Sequence, residues 1–123
     1  MIVRFHSRGR KRAARTPESL VLSAVLKVLR YDRRVAWACR MNSGAVKMEN
    51  RFVRFGTSGL PDVIGFTTDG RFLAIECKAE KGKLTENQRQ FLRRAMESGC
   101  LAGVARNAAE ALEILDGRLL GRL

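Results

Sequence analysis

The sequence lacks the features that mark membrane and secreted proteins. It has no uninterrupted apolar run of about 18 residues and no signal-peptide pattern, so we expect no membrane partner. Its three cysteines, Cys39, Cys77 and Cys100, are odd in number, lie in apolar segments and lack the paired spacing of a metal site. We therefore predict reduced core cysteines in a cytoplasmic protein.

Acidic side chains are also scarce. The chain has 12 Asp and Glu residues against 24 Lys and Arg residues, which gives a net charge of +12 and a pI near 11.0. Such a surplus favours a polyanionic partner, and without membrane features nucleic acid is the better candidate. With no internal repeat or low-complexity tract, the 123 residues predict one domain with a real core.

The shortage of acid is most pronounced at the start of the chain, where residues 1–15 carry six basic side chains and no acidic one. This segment predicts a flexible basic arm that contacts phosphates without reading sequence, and the alternative is a solubilising tail. The predicted domain then covers residues 16–123.

The most informative stretch, residues 59–78, predicts two apolar strands joined by a tight turn at 68–70. Asp62 opens the first strand, and Glu76 and Lys78 share one face of the second because side chains alternate along a strand. A two-residue turn would send Asp62 to the opposite face. A three-residue turn with a left-handed Gly70 would pair Asp62 with Glu76, and we favour this register.

The favoured register gives the hairpin an acidic face, with Asp62, Glu76 and Lys78, and an apolar face. The apolar face consists of Val63, Gly65, Leu73, Ile75 and Cys77. Two neighbouring carboxylates resist joint ionisation unless a cation lies between them, and oxygen-rich sites of this kind suit magnesium or manganese. The alternative is a buried salt bridge of Lys78 with the acids, which stabilises poorly because desolvation offsets the attraction.

Helix and strand signals in the rest of the chain predict an α/β fold. Three helices are expected after the capping residues Thr16, Thr85 and Asn107. Further strands are predicted at 35–41, 48–55 and 100–105. The expected result is a mixed central sheet flanked by helices on both faces, with the first helix over the acidic face and the second over the apolar face.

The residues of the hairpin also carry a resemblance to a known family. Pro61-Asp62 followed by Glu76-Cys77-Lys78 resembles the signature of the PD-(D/E)XK nucleases. Four further motifs resemble the VRR-NUC branch (virus-type replication-repair nuclease), and they are Glu18, Arg40-x-Asn42-Ser43-Gly44, Gly59-Leu60-Pro61-Asp62 with Gly65, and Gly82-x-Leu84-x-x-x-Gln88. The likeness spans roughly residues 16–115, and it departs from the family in Cys77, where an aliphatic residue is usual.

The resemblance implies a restriction-endonuclease-like fold and an endodeoxyribonuclease that depends on Mg²⁺ or Mn²⁺. Asp62 and Glu76 would hold the metal ion together with the backbone carbonyl of Cys77. Glu18 would join the metal site directly or through water, whereas its helical position alone suggests a partner of the helix dipole.

The remaining site residues are also expectations. Lys78 would orient the attacking water or stabilise the negative transition state. Gln88 would position Lys78 or the water, or would serve only as a helix cap. Contacts to DNA are expected from Arg40, Asn42, Ser43, Lys47, Arg51, Arg54, Lys81 and Lys83. A solvated charged face explains the basic members of this set almost as well.

The family also suggests a substrate. Small stand-alone members of this branch resemble phage and archaeal Holliday-junction resolvases, so the resemblance implies a homodimer that cuts branched DNA with two copies of one site. Such an enzyme would act in recombination or DNA repair in the cytoplasm of a bacterial or phage-infected cell. The alternatives are a flap or nicking nuclease, a restriction-like enzyme, and a catalytically silent module that binds nucleic acid.

Overall fold

The computed structural model describes residues 15–41, 45–48, 51–54, 58–118 and 123, and for 45–48 and 51–54 it describes the backbone alone. The predicted basic arm lies outside the described residues, apart from Arg15. Among the predicted DNA-binding residues, Asn42 and Ser43 also lie outside them, and the side chains of Lys47, Arg51 and Arg54 are not described.

The described residues form three helices and six strands. In chain order these are α1 (Pro17–Tyr31), β1 (Val35–Arg40), β2 (Ala45–Met48), β3 (Arg51–Arg54), β4 (Val63–Thr67), β5 (Phe72–Cys77), α2 (Glu86–Glu97), β6 (Leu101–Ala105) and α3 (Ala108–Leu115). Among the described helices, none has the length and apolarity needed to cross a membrane.

Two sheets are present in the described part of the chain. The larger has the strand order β1-β4-β5-β6, in which β1, β4 and β5 pair antiparallel and β6 is parallel to β5. The smaller is an antiparallel pair of β2 and β3. The prediction of a single strand at 48–55 is therefore wrong. The structure has two strands there, Ala45–Met48 and Arg51–Arg54, which provide each other's backbone hydrogen-bond partners.

The β4–β5 hairpin has the register predicted for a three-residue turn. Val63 pairs with Ile75 and Phe66 with Phe72, and the turn is closed by the Gly70 amide, which donates to the Thr67 carbonyl at 3.0 Å. Gly70 has a φ of +85°, a left-handed conformation that glycine adopts without steric cost. Continued by one residue, this register places Asp62 opposite Glu76.

Helices cover both faces of the larger sheet, as predicted for a restriction-endonuclease-like fold, but in the reverse order. The buried Val25 and Leu29 of α1 pack with the apolar face of the hairpin, and α3 packs there too. Helix α2 packs on Ala74 and Ala102, which share the face of Glu76. The expectation that α1 covers the acidic face and α2 the apolar one is therefore wrong.

The physical reason lies in the apolar surfaces of the two helices. Helix α1 buries Val25 and Leu29 completely, and the partly buried apolar side chains around them need an equally apolar partner, which the strands offer on the Leu73 side. Helix α2 has a small buried patch of Leu92 and Ala95, which covers the sheet next to the acidic residues. The polar first turn of α2 then lies at the acidic residues themselves.

The predicted helix starts are confirmed. Thr16 Oγ1 accepts a hydrogen bond from the Ser19 amide at 3.1 Å, which places Glu18 in the first turn of α1. The Thr85 and Gln88 capping box begins α2. The three cysteines are free, as predicted, although only Cys77 is fully buried and Cys39 and Cys100 are half-buried.

Candidate active site

Two carboxylates meet at the open end of the β4–β5 hairpin. Asp62 lies just before β4, and Glu76 lies in β5 with only 2% of its surface exposed. The Cys77 amide donates a hydrogen bond of 2.9 Å to Asp62 Oδ2, which holds the Asp62 side chain against the strand that carries Glu76. The structure therefore brings the two predicted acids together.

Burial raises the pKa of Glu76 from 4.5 to about 8, and hydrogen bonding to the neighbouring Asp62 carboxyl together with its charge adds to this effect. The positive charge of Lys78 lowers the pKa of Glu76, and the negative charge of Glu18 raises it. Ionising Glu76 at neutral pH therefore requires more positive charge nearby than Lys78 supplies.

The two oxygens of Glu76 have different surroundings. Oε1 accepts a hydrogen bond of 3.1 Å from Gln88 Nε2 and lies 4.0 Å from Lys78 Nζ. Oε2 is buried and, when both carboxyls are ionised, has no hydrogen-bond donor among the described residues. A buried carboxylate oxygen without a donor is costly, so this atom points to a ligand that the protein chain itself does not supply.

Lys78 lies between two acidic side chains from different elements. Its Nζ is 3.7 Å from Glu18 Oε1 and 4.0 Å from Glu76 Oε1, and its side chain is only 12% exposed. Glu18 is 52% exposed and reaches the site from the first turn of α1. The predicted residues Glu18, Glu76 and Lys78 thus converge at one end of the sheet.

Gln88 serves as a helix cap and as a site residue at once. Its side-chain Oε1 accepts from the Thr85 backbone amide at 2.9 Å, and the Gln88 backbone amide donates to Thr85 Oγ1 at 3.1 Å. The other end of the same side-chain amide donates to Glu76 Oε1. The two predicted roles are compatible, because a glutamine has an acceptor and a donor at opposite ends of its amide.

The donor set fits a hard divalent cation. In the described part of the chain, no three His, Cys, Asp or Glu side chains are close enough together to hold one ion. Glu18 contacts Lys78 and does not complete a cluster of three carboxylates. Mg²⁺ commonly uses one or two carboxylates and keeps several waters. The pair of Asp62 and Glu76, with the unpartnered Oε2, matches that requirement.

One contact that holds Asp62 in place was not predicted from the sequence. Gly59 has a φ of +88°, and a Cβ at this position would lie 2.5 Å from the Asn87 carbonyl oxygen in the first turn of α2. Asn87 Nδ2 also donates to Ser58 Oγ at 2.9 Å. The segment that leads to Asp62 is therefore docked beside Gln88, and the only signal in the sequence was a glycine before the Leu-Pro-Asp motif.

A second unpredicted contact holds the loop after Lys78. Arg106 Nη1 donates to the carbonyls of Ala79 and Glu80 at 2.5 and 3.2 Å. The Arg106 amide in turn donates to Glu110 Oε1 at 2.9 Å. No local pattern marks Arg106, because its partners lie 26 and 27 positions away in the sequence.

The predicted DNA-binding residues with described side chains flank this site. Arg40 is exposed at the end of β1, where it pairs with Val63, the residue after Asp62. Lys81 and Lys83 are exposed in the loop that follows Lys78. These three basic residues therefore lie next to the acid pair along the chain or across the sheet, and their binding to DNA stays a prediction.

Comparison with known proteins agrees with this geometry. The family model of the VRR-NUC domain matches residues 8–109, which is most of the chain and includes every element from α1 to β6. Searches of the curated proteins and of the solved structures found no match.

Proposed function

Because the chain belongs to the VRR-NUC family of PD-(D/E)XK-type nuclease domains, we propose that it is a Mg²⁺- or Mn²⁺-dependent endonuclease that hydrolyses DNA phosphodiester bonds. The observation that carries the proposal is the Asp62–Glu76 pair, in which one oxygen of a buried carboxylate has no hydrogen-bond donor among the described residues when both acids are ionised. The net charge of +12 supports a polyanionic substrate.

In this proposal Asp62 and Glu76 would hold the divalent ion, together with the backbone carbonyl of Cys77 and, through water, Glu18. A bound ion of this kind polarises the phosphate and lowers the pKa of water. The Cys77 amide fixes the orientation of Asp62, and burial excludes bulk water from Glu76, so that both carboxylates are preorganised for a cation.

Lys78 supplies the positive charge that the protein itself brings to the reacting phosphate. Its Nζ is held between Glu18 and Glu76, at a point where it can orient the attacking water or stabilise negative charge on the phosphate oxygens. Gln88 keeps Glu76 Oε1 in place, which would leave Oε2 available to an ion, so we assign Gln88 a positioning role.

We further propose that the substrate is branched DNA, such as a four-way junction, and that a homodimer cuts it during recombination or repair. A junction with two-fold symmetry matches an enzyme with two copies of one site. The matched domain occupies most of the 123 residues, so two copies of it would recognise the shape of the junction together.

The experiment is a cleavage assay with linear, flap, fork and four-way DNA of the same sequence, with Mg²⁺, with Mn²⁺ and with EDTA. The expected result is cutting of the four-way substrate with either ion, loss of cutting with EDTA, and loss in Asp62→Ala and Lys78→Ala with DNA binding retained. The molar mass from light scattering should be that of a dimer.

Other outcomes would assign a different function. Equal cutting of linear and four-way DNA would contradict the selectivity for branches, and preference for the flap would indicate a flap nuclease. Binding without cutting under any divalent ion would indicate a silent module that binds nucleic acid. A monomer at micromolar concentration would contradict the dimer.

A further inference from the structure

A basic cavity lies near Glu76 on the α2 side of the sheet. Its volume is about 340 Å³, and three cationic side chains, Lys83, Arg89 and Arg106, line it. The single acidic residue in its lining is Glu110, and Leu84 and Val104 are among its apolar walls. The lining thus has a surplus of positive charge and suits an anion.

The cavity is next to the proposed catalytic site. Val104 of β6 is the direct pairing partner of Glu76 in the parallel β5–β6 ladder, and neighbouring strands are about 4.8 Å apart. Arg89 follows Gln88, whose amide contacts Glu76. The wall of the cavity is therefore one strand away from Glu76 and two strands away from Asp62.

The cations of the cavity are only partly neutralised by the protein. Arg89 Nε is buried and has no hydrogen-bond partner among the described residues. Its Nη1 is 3.4 Å from Glu86 Oε2, but this is an exposed pair, and such pairs contribute little. Glu110 Oε1 is already engaged by the Arg106 amide, and Lys83 forms no ion pair in the described part of the chain.

We propose that this cavity is a phosphate subsite, which takes a backbone phosphate of the substrate DNA close to the phosphate that is cut. The identity of the ligand rests on the proposed nuclease function. Arginine guanidinium groups present several donors in a fixed plane that matches phosphate oxygens, and the lysine adds charge. Contacts of this kind set the register of DNA on a protein without reading its sequence, and here they place the strand relative to Glu76.

The test is DNA binding by the full chain in EDTA, measured by fluorescence anisotropy with a labelled linear duplex at several salt concentrations. The variants are Lys83→Gln, Arg89→Gln and the double variant. The matched controls are Lys27→Gln and Arg30→Gln, which remove the same charges from exposed positions of α1 on the opposite face of the sheet. All four side chains are at least partly exposed, so we expect the variants to keep the fold, which circular dichroism checks.

The expected result is a loss of affinity of about tenfold in the double variant, with the slope of log affinity against log salt smaller by about one, because one phosphate contact is lost. The control variants Lys27→Gln and Arg30→Gln should change the affinity and the salt slope less than the double variant does. If the double variant binds with the affinity and slope of its controls, the subsite is wrong. This readout does not need cleavage, so it decides the subsite even if the chain cuts no substrate.

Two further measurements distinguish the ligand and the role. In a chain that cuts, the double variant raises KM and leaves kcat close to that of the wild type, because the contact is the same in the ground state and the transition state. Inorganic phosphate is titrated as a competitor. Saturable binding of phosphate that depends on Lys83 and Arg89 and leaves the affinity for DNA unchanged would overturn DNA as the ligand.

Discussion

The side-chain amide of Gln88 joins the start of α2 to Glu76. Its Oε1 accepts from the Thr85 amide, while its Nε2 donates to Glu76 Oε1 at 3.1 Å. The orientation of the amide is therefore determined at both ends, and the helix cap and the buried carboxylate depend on each other. A helix that begins correctly thus satisfies one oxygen of Glu76, whereas the other has no donor among the described residues.

This relationship predicts different effects for two substitutions of Gln88. Gln88→Glu keeps an acceptor for the Thr85 amide but loses the donor to Glu76. We therefore expect the free energy of unfolding at low pH to stay close to that of the wild type. Cleavage should fall at least about tenfold. Gln88→Ala loses both contacts and about 1 kcal/mol of stability. Urea unfolding and kcat are the measurements. Full cleavage by a less stable Gln88→Ala would show that the residue is only a cap.

The raised pKa of Glu76 predicts a pH dependence of stability in the metal-free protein. The unfolded carboxyl titrates near 4.5 and the folded one near 8, so between these values the folded state binds more protons than the unfolded state. Stability therefore falls as the pH rises from about 4.5 to 8, by at most about 5 kcal/mol from this group, because one pKa unit corresponds to about 1.4 kcal/mol. Urea unfolding in EDTA at several pH values checks this. Glu76→Gln should flatten the dependence, and an unchanged profile in this variant would contradict the assignment.

Addition of Mg²⁺ should reverse this loss of stability above neutral pH, because a ligand that binds the folded state alone stabilises it. We expect Asp62→Asn and Glu76→Gln to abolish the rise in Tm with Mg²⁺. Glu18→Gln should keep most of it, because Glu18 contacts Lys78 and belongs to no cluster of three ligands in the described residues. Thermal unfolding against Mg²⁺ concentration is the measurement. Complete loss of the Mg²⁺ effect in Glu18→Gln would make Glu18 a direct ligand.

The docking of Gly59 on α2 predicts an unusually sensitive glycine, for which Gly70 is the matched control. Both have left-handed φ values, +88° and +85°, but a Cβ on Gly59 would lie 2.5 Å from the Asn87 carbonyl, whereas a Cβ on Gly70 meets nothing within 4 Å. Gly70→Ala should cost about 1 kcal/mol from backbone strain alone. Gly59→Ala should lower the free energy of unfolding by roughly 1–3 kcal/mol more than Gly70→Ala does. It should also reduce cleavage, because the segment that carries Asp62 shifts. Equal costs for the two variants, from urea unfolding, would contradict this.

Much of the site could be predicted because it depends on local rules. The three-residue turn with Gly70 sets the register of the hairpin, and the alternation of side chains then puts Glu76 and Lys78 on one face. Thr16 and Thr85 begin their helices within a few residues of Glu18 and Gln88. Each of these relationships spans only a short segment, so the sequence contains all that is needed to infer it.

The tertiary structure decided which distant segments meet. The exchange of faces between α1 and α2 followed from how the two apolar helix surfaces divide the sheet, which depends on every element at once. For the same reason the docking of Gly59 on Asn87 and of Arg106 on the loop after Lys78 had no local signal. The chemistry of the acids could be inferred from the chain alone, whereas the packing that orients them exists only in the folded protein.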